Sequence, residues 1–317
     1  MTIQKGHILQ KTWMIWLCAM ICTALWGSAF PCIKTGYALF HIGESQTASQ
    51  ILFAGIRFFL AGILAILIGS IGQRKLLVPK RSSIPKVFVL CMFQTVIQYL
   101  LFYIGLAHTT GVKGSILGGT SVLFSILIVC LIFRQETFTS HKLLGCIIGF
   151  AGIVIVNLNG AGMDMSFTFT GEGFMILSSL SYALSSIFFK RFSADDDPVT
   201  LSGWQFLAGG AIMIVVGVLS GGQVKGFTLP STLLLIYMGI ISAVAYSLWG
   251  MLLKYNPVSR ITVFGFMTQV FGVLLSAVIL KEKGAFGPKT LIALILVCIG
   301  IYLVNRKTGR DASLPET

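Results

Sequence analysis

Apolar runs of about twenty residues, parted by short polar breaks, recur ten times along this chain. They fall at about 13–33, 50–70, 86–106, 111–133, 141–158, 173–192, 199–219, 231–254, 258–280 and 288–305. A helix needs about 20 apolar residues to cross the roughly 30 Å hydrocarbon layer of a bilayer. In lipid the backbone must satisfy its own hydrogen bonds, which a helix does within one segment. The pattern therefore predicts an all-α integral membrane protein with ten transmembrane helices. Its breaks carry helix-end chemistry. Asp197-Pro198 supplies an N-cap followed by a first-turn proline, and Asn256-Pro257 and Gly287-Pro288 mark similar boundaries. The acidic run Asp195-Asp196-Asp197 reads as a solvated loop leading into that cap rather than a metal site. The first run follows Lys5 and Lys11, like a signal peptide, but exceeds the usual apolar core of 7–15 residues, so retention is expected.

The pattern also repeats. Gly152-Ile-Val-Ile-Val-Asn157 and Gly300-Ile-Tyr-Leu-Val-Asn305 lie 148 residues apart in a chain of 317. Trp26 and Lys34 map onto Tyr182 and Lys190 at an offset of 156, and Tyr99, Phe102 and Lys113 onto Tyr246, Trp249 and Arg260 at 147. Glu136 maps onto Glu282 at 146. Each copy holds five spans, an odd number, so the second copy must enter the membrane from the opposite side. Duplicated segments related by an axis in the membrane plane are typical of secondary transporters, with substrate bound near the seam. The expected division is 14–158 for the first repeat, 172–305 for the second and 306–317 for a cytoplasmic tail.

Composition agrees: 56% of residues are hydrophobic and 10% charged, where a soluble domain carries about a quarter charged. A net charge of +13 would suggest nucleic acid in a soluble protein. Here the cations sit in loops and set orientation, so no nucleic-acid partner is expected. Of 23 Lys and Arg, sixteen fall in segments that are cytoplasmic if the N-terminus is inside, and six fall outside. By the positive-inside rule both termini are cytoplasmic, in a multi-pass protein of the cytoplasmic membrane. The seven cysteines lie in apolar runs without a Cys-x-x-Cys pair and read as packing residues.

Leu25-Trp26-Gly27-Ser28-Ala29-Phe30 and Arg57-Phe58-Phe59-Leu60-Ala61-Gly62 resemble the first- and second-helix motifs of EamA domains, in the drug/metabolite transporter superfamily. Glu136, Leu144-Gly145 and Phe150-Ala151-Gly152 are similar to the fourth-to-fifth helix signature. The second copy echoes these through Ser181-Tyr182-Ala183, Phe206-Leu207-Ala208-Gly209, Glu282 and Gly300. The resemblance covers residues 14–305. It departs at Leu123 and Gln269, where the family often has proline, and at Trp204, which takes the Arg57 position. It implies two five-helix bundles around a central cavity, lined by helices one to four and six to nine. It also implies movement of metabolites such as amino acids, often outward and without ATP hydrolysis, by a chain that can work as a monomer.

Polar groups deep in a bilayer are costly and point to function. Arg57 is the one charge well inside a span, seven residues in and about 10 Å below the outer surface at about 1.5 Å per residue. It either faces the cavity and holds a carboxylate or phosphate, snorkels to the interface, or bonds helix-end carbonyls. Gln94, Thr95, Gln98, Tyr99 and Phe102 form a stripe at helical spacing, matched by Ser242, Tyr246 and Trp249 in the second copy. Such stripes line cavities or join helices. Trp26 and Tyr182 fall at similar depth as paired walls or packing groups, and Gln269 lies near mid-depth. The candidate substrate-binding set is thus Trp26, Arg57, Gln94, Gln98, Tyr99, Tyr182, Tyr246, Trp249 and Gln269. Glu136 and Glu282 end helices beside cations and read as local pairs. Glu44, Asp164 and Glu172 lie in loops or at span ends, leaving no mid-membrane carboxylate to relay protons.

The four histidines form no ligand pair, and nucleophile, metalloprotease and phosphate-loop motifs are absent. No enzyme activity, metal or cofactor is expected. Filter loops and charge rings, expected of a channel, are also missing. The reading is a secondary transporter of small organic metabolites working by alternating access, amino acids or related compounds first and export the direction; the alternatives are a transporter of other metabolites or drugs in the same superfamily, or a passive channel. Its partners are the small-molecule substrate and the lipid bilayer.

Overall fold

The computed structural model describes residues 8–43, 45–109, 111–157, 167–279 and 288–306. In chain order the helices are α1 (Thr12–Leu39), α2 (Thr47–Gln73), α3 (Arg81–Ala107), α4 (Lys113–Ile132) and α5 (Ser140–Asn157), then α6 (Phe169–Phe192), α7 (Pro198–Leu219), α8 (Leu229–Tyr255), α9 (Val258–Ser276) and α10 (Pro288–Asn305). Eight of these are long and apolar enough to cross a membrane; α5 and α10 are shorter apolar helices. Among the described residues no strand occurs.

The caps form as their residues dictate. The Asp197 carboxylate accepts the Thr200 backbone N–H at 2.8 Å, with Pro198 in the first turn of α7. Asp196 accepts from Ser83 at 2.5 Å and from Lys86 at 2.8 Å, tying the α6–α7 loop to the start of α3. At the start of α8, Thr228 and Ser231 close a capping box. Pro31 lies inside α1, which continues eight residues further, from 31 to Leu39.

Helix α2 packs on α7 and α5 on α10, while α1 lies against α8 and α9 and α6 against α3 and α4. Two seams depend on glycine. A Cβ on Gly62 would sit 2.4 Å from the Leu207 backbone N, and one on Gly210 would sit 2.2 Å from that of Phe59. At the α5–α10 seam a Cβ on Gly145 would meet the Gly300 carbonyl at 2.7 Å, and one on Gly300 the Gly145 carbonyl at 2.6 Å. Gly152 likewise lies against Ala293. Small residues let helices approach this closely where lipid removes most of the hydrophobic driving force.

Helix α2 begins at Thr47, three residues earlier than the apolar run suggests, because Thr47 and Ser49 continue the helix. Arg57 is therefore ten residues along (47 to 57), about 15 Å at 1.5 Å per residue, towards the middle of this 27-residue helix. Asp164, Glu44, Glu282, Lys281 and Lys283 lie outside the described residues.

Candidate functional site

Between the helices lies a cavity of about 190 Å³. Its walls come from α1 (Trp26, Phe30), α2 (Arg57), α3 (Gln98, Tyr99, Phe102), α4 (Gly118, Ser121), α6 (Ser178, Tyr182), α8 (Tyr246) and α9 (Thr268, Gln269). Both halves of the chain contribute. Helices α5, α7 and α10 add no lining residue.

Arg57 is 3% exposed. Its Nε and Nη2 donate to Ser242 Oγ on α8, at 3.3 and 3.1 Å. The guanidinium thus turns across to a neighbouring helix and does not snorkel. Among the described residues no carboxylate pairs with it. A buried charge without a counter-charge is costly, and a single hydroxyl offsets only part of that cost.

The Tyr99 and Tyr246 hydroxyls meet at 3.0 Å. These two occupy equivalent positions in the two copies, 147 residues apart. Trp26 stands edge-on to Tyr246, ring centroids 4.9 Å apart, and Phe58 fills in behind Tyr99 at 4.3 Å. Gln269 accepts from Ser115 at 2.8 Å through Oε1. Gln98 Oε1 and Trp26 Nε1 are buried without any partner. The cavity is therefore aromatic, carries one cation and keeps unused donors and acceptors.

Seven of the residues expected from sequence line the cavity: Trp26, Arg57, Gln98, Tyr99, Tyr182, Tyr246 and Gln269. Gln94 and Trp249 do not. Trp249 sits one layer back, edge-on to Trp26 at 4.9 Å, and is 2% exposed. Gln94 lies in a π-helical turn, Cys91–Val96, inside α3. The wider turn shifts the register, so a stripe drawn at regular helical spacing no longer shares one face. Thr95, in the same turn, donates to Gln205 Oε1 on α7 at 2.7 Å.

Ser178, Ser179, Ser121 and Thr268 also line the cavity and were not singled out by sequence reasoning. Two of them are already engaged: Ser178 donates to the Gln98 carbonyl at 2.7 Å and Ser179 to that of Leu117 at 2.9 Å. Gln205 was missed too. Its signal was a lone amide in an apolar span, beside the Trp204 that takes the arginine position. Glu136 pairs with Lys142 at 2.9 Å, as its neighbours suggest, and accepts the Ser259 backbone N–H at 3.1 Å at the start of α9. That second bond joins the two halves.

Long apolar helices enclosing a polar-aromatic cavity define a multi-pass membrane protein with an internal site. The EamA-like transporter family matches over residues 13–158 and 169–306, and the chain belongs to that family. An uncharacterized transporter of Archaeoglobus fulgidus is 26% identical over 294 residues, 92% of this chain and 99% of the relative. The uncharacterized transporter YvbV of Bacillus subtilis is 23% identical, covering 90% of this chain and 89% of its own length. A WAT1-related chloroplastic protein of Arabidopsis thaliana matches at 23% identity over 65% of this chain and 51% of its own. A solved crystal structure superposes with a TM-score of 0.78 at 15% identity, covering 93% of this chain and 97% of that one. That likeness concerns the fold. The transport role of the family and the membrane setting follow from the match.

Proposed function

We propose that the protein is a secondary transporter of small carboxylate-bearing metabolites, amino acids or related compounds first, working by alternating access across the cytoplasmic membrane. Export is the proposed direction, with both termini in the cytoplasm. The observation that carries this reading is Arg57: a buried cation inside a long apolar helix, lining the cavity, with no anion beside it among the described residues. An anionic group on the substrate would supply the missing counter-charge.

The proposed architecture is ten crossings arranged as two inverted five-helix copies, with α5 and α10 completing the count. Reciprocal contacts support it. Gly152 touches Ala293 and Gly145 touches Gly300. At the 148-residue offset of the echo, each contact is the other with its partners exchanged. That reciprocity is the mark of a two-fold interface. Tyr99 and Tyr246, equivalent residues in mutual contact, would flank such an axis.

Counterflow tests the function. Purified protein in liposomes loaded with one unlabelled amino acid should accumulate the labelled form, saturably, across a panel of L-amino acids and their carboxamides. Carboxamides should be poor substrates. Flux that never saturates would favour a passive pore and end the proposal.

A further inference from the structure

The guanidinium of Arg57 is held by one edge and lies over the Phe58 ring, 4.8 Å from its centroid. Arginine carries five N–H donors, one on Nε and two on each Nη. Ser242 Oγ receives one from Nε and one from Nη2. Both lone pairs of that hydroxyl are then engaged. The donors left over sit on Nη1 and Nη2, the edge whose spacing matches the two oxygens of a carboxylate. Among the described residues they meet no acceptor. Arg57 lines the cavity, while Ser242 is fully buried and does not.

We infer that Ser242 is a positioning residue: it clamps the Nε edge of Arg57 and so presents the Nη edge to a planar carboxylate in the cavity. This deepens the reading that Arg57 meets the substrate anion, and it rests on that reading. An untethered arginine has several torsions to fix on binding, and immobilising a long side chain costs binding free energy. A guanidinium already clamped by Ser242 is spared that cost. The clamp also makes the site selective by shape, since one fixed fork fits a flat two-oxygen group better than a single neutral oxygen.

The equivalent place in the other copy shows what the serine does not need to do. There Thr95 donates to Gln205 Oε1 at 2.7 Å, joining α3 to α7 without a charge. Helix fastening alone is thus achieved by a neutral pair. At Ser242 the hydroxyl is an acceptor from a cation instead, a role that suits orientation.

The test uses the full chain, purified in detergent for titration and reconstituted in liposomes for counterflow. Probes are L-leucine, L-phenylalanine and benzoate, each paired with its carboxamide, read by calorimetric titration and by counterflow. Ser242→Ala should weaken binding of the carboxylates about tenfold, leave the carboxamides unchanged, and act on KM more than on kcat. Ser242→Thr, which keeps the oxygen, should restore the carboxylates. Ser242→Cys, close in size with a weakly accepting sulfur, should fall between and serves if the alanine variant does not fold. In an Arg57→Lys background Ser242→Ala should add little, because the fork is gone. Equal loss for carboxylates and carboxamides would show a merely structural serine and overturn the inference. If Arg57→Ala keeps the full carboxylate preference, it is the underlying reading of Arg57 that falls.

Discussion

The junction of α2 with α8 and that of α7 with α3 occupy equivalent places in the two copies, yet hold different chemistry. In the first, Arg57 donates twice to Ser242. In the second, the Thr95 hydroxyl donates to Gln205, one residue past the Trp204 that replaces the arginine. Trp204 itself turns away, and its Nε1 donates to the Leu77 carbonyl at 2.8 Å, pinning the loop between α2 and α3. A neutral pair therefore suffices to join the helices. The other junction adds a charge, and the arginine that carries it lines the cavity. The copies agree where they build the scaffold and differ where the site needs direction.

The sharpest way to break that comparison is to truncate both sides. Arg57→Ala should lower transport efficiency about 100-fold, since a hydrogen-bonded charge contributes roughly 1.5–3 kcal/mol. Gln205→Ala should leave transport nearly intact and cost about 1 kcal/mol of stability. Counterflow rates with thermal unfolding in detergent measure both. Equal transport losses would erase the distinction.

Where the copies agree, paired substitutions should cost the same. Gly152→Ala and Gly300→Ala, equivalent at the 148-residue offset, force a methyl onto the Ala293 and Gly145 carbonyls and should each destabilise by about 1–3 kcal/mol. Gly72→Ala, with nothing within 4 Å of its added carbon, is the neutral control. Unequal losses would argue against a two-fold seam. Tyr99→Phe and Tyr246→Phe remove one shared hydrogen bond, worth about 1 kcal/mol. The double variant should then be no worse than either single one. A fully additive double variant would mean that the two hydroxyls act separately.

The smallest effect concerns the loop before α7. Burial pushes the Asp196 carboxyl up, but the hydrogen bonds from Lys86 and Ser83 outweigh it and hold the group below its ordinary value of 3.8. A lowered pKa contributes stability above 3.8 that is lost as pH falls through the lower folded value. Asp196→Asn should lower the unfolding midpoint slightly at pH 6, and the gap should close below pH 4. A gap that persists unchanged would assign the effect to packing.

Much of this was legible in the chain. Runs of apolar residues gave helix boundaries within a few residues, because length and hydropathy alone decide what spans a bilayer. Seven cavity residues followed from polar and aromatic groups placed where lipid disfavours them. Gln94 failed for a local reason: spacing rules assume 3.6 residues per turn, and the π-turn at Cys91–Val96 breaks that assumption. The Ser242 contact with Arg57 spans 185 residues of sequence, and no periodicity within one helix reveals it. Glu136 was half read. Lys142 lay close enough in sequence to suggest a pair, whereas Ser259, 123 residues away, did not.

The α5–α10 seam bears on how the protein is made. Helix α5 has its principal partner in α10, so Gly145 and Gly152 lack their packing surface until that helix has been synthesised. At about 5–20 residues per second that interval is on the order of ten seconds. Until α10 arrives, lipid or the insertion machinery must cover Gly145 and Gly152. The first half is then fully packed only once α10 docks, well after α5 itself has been made.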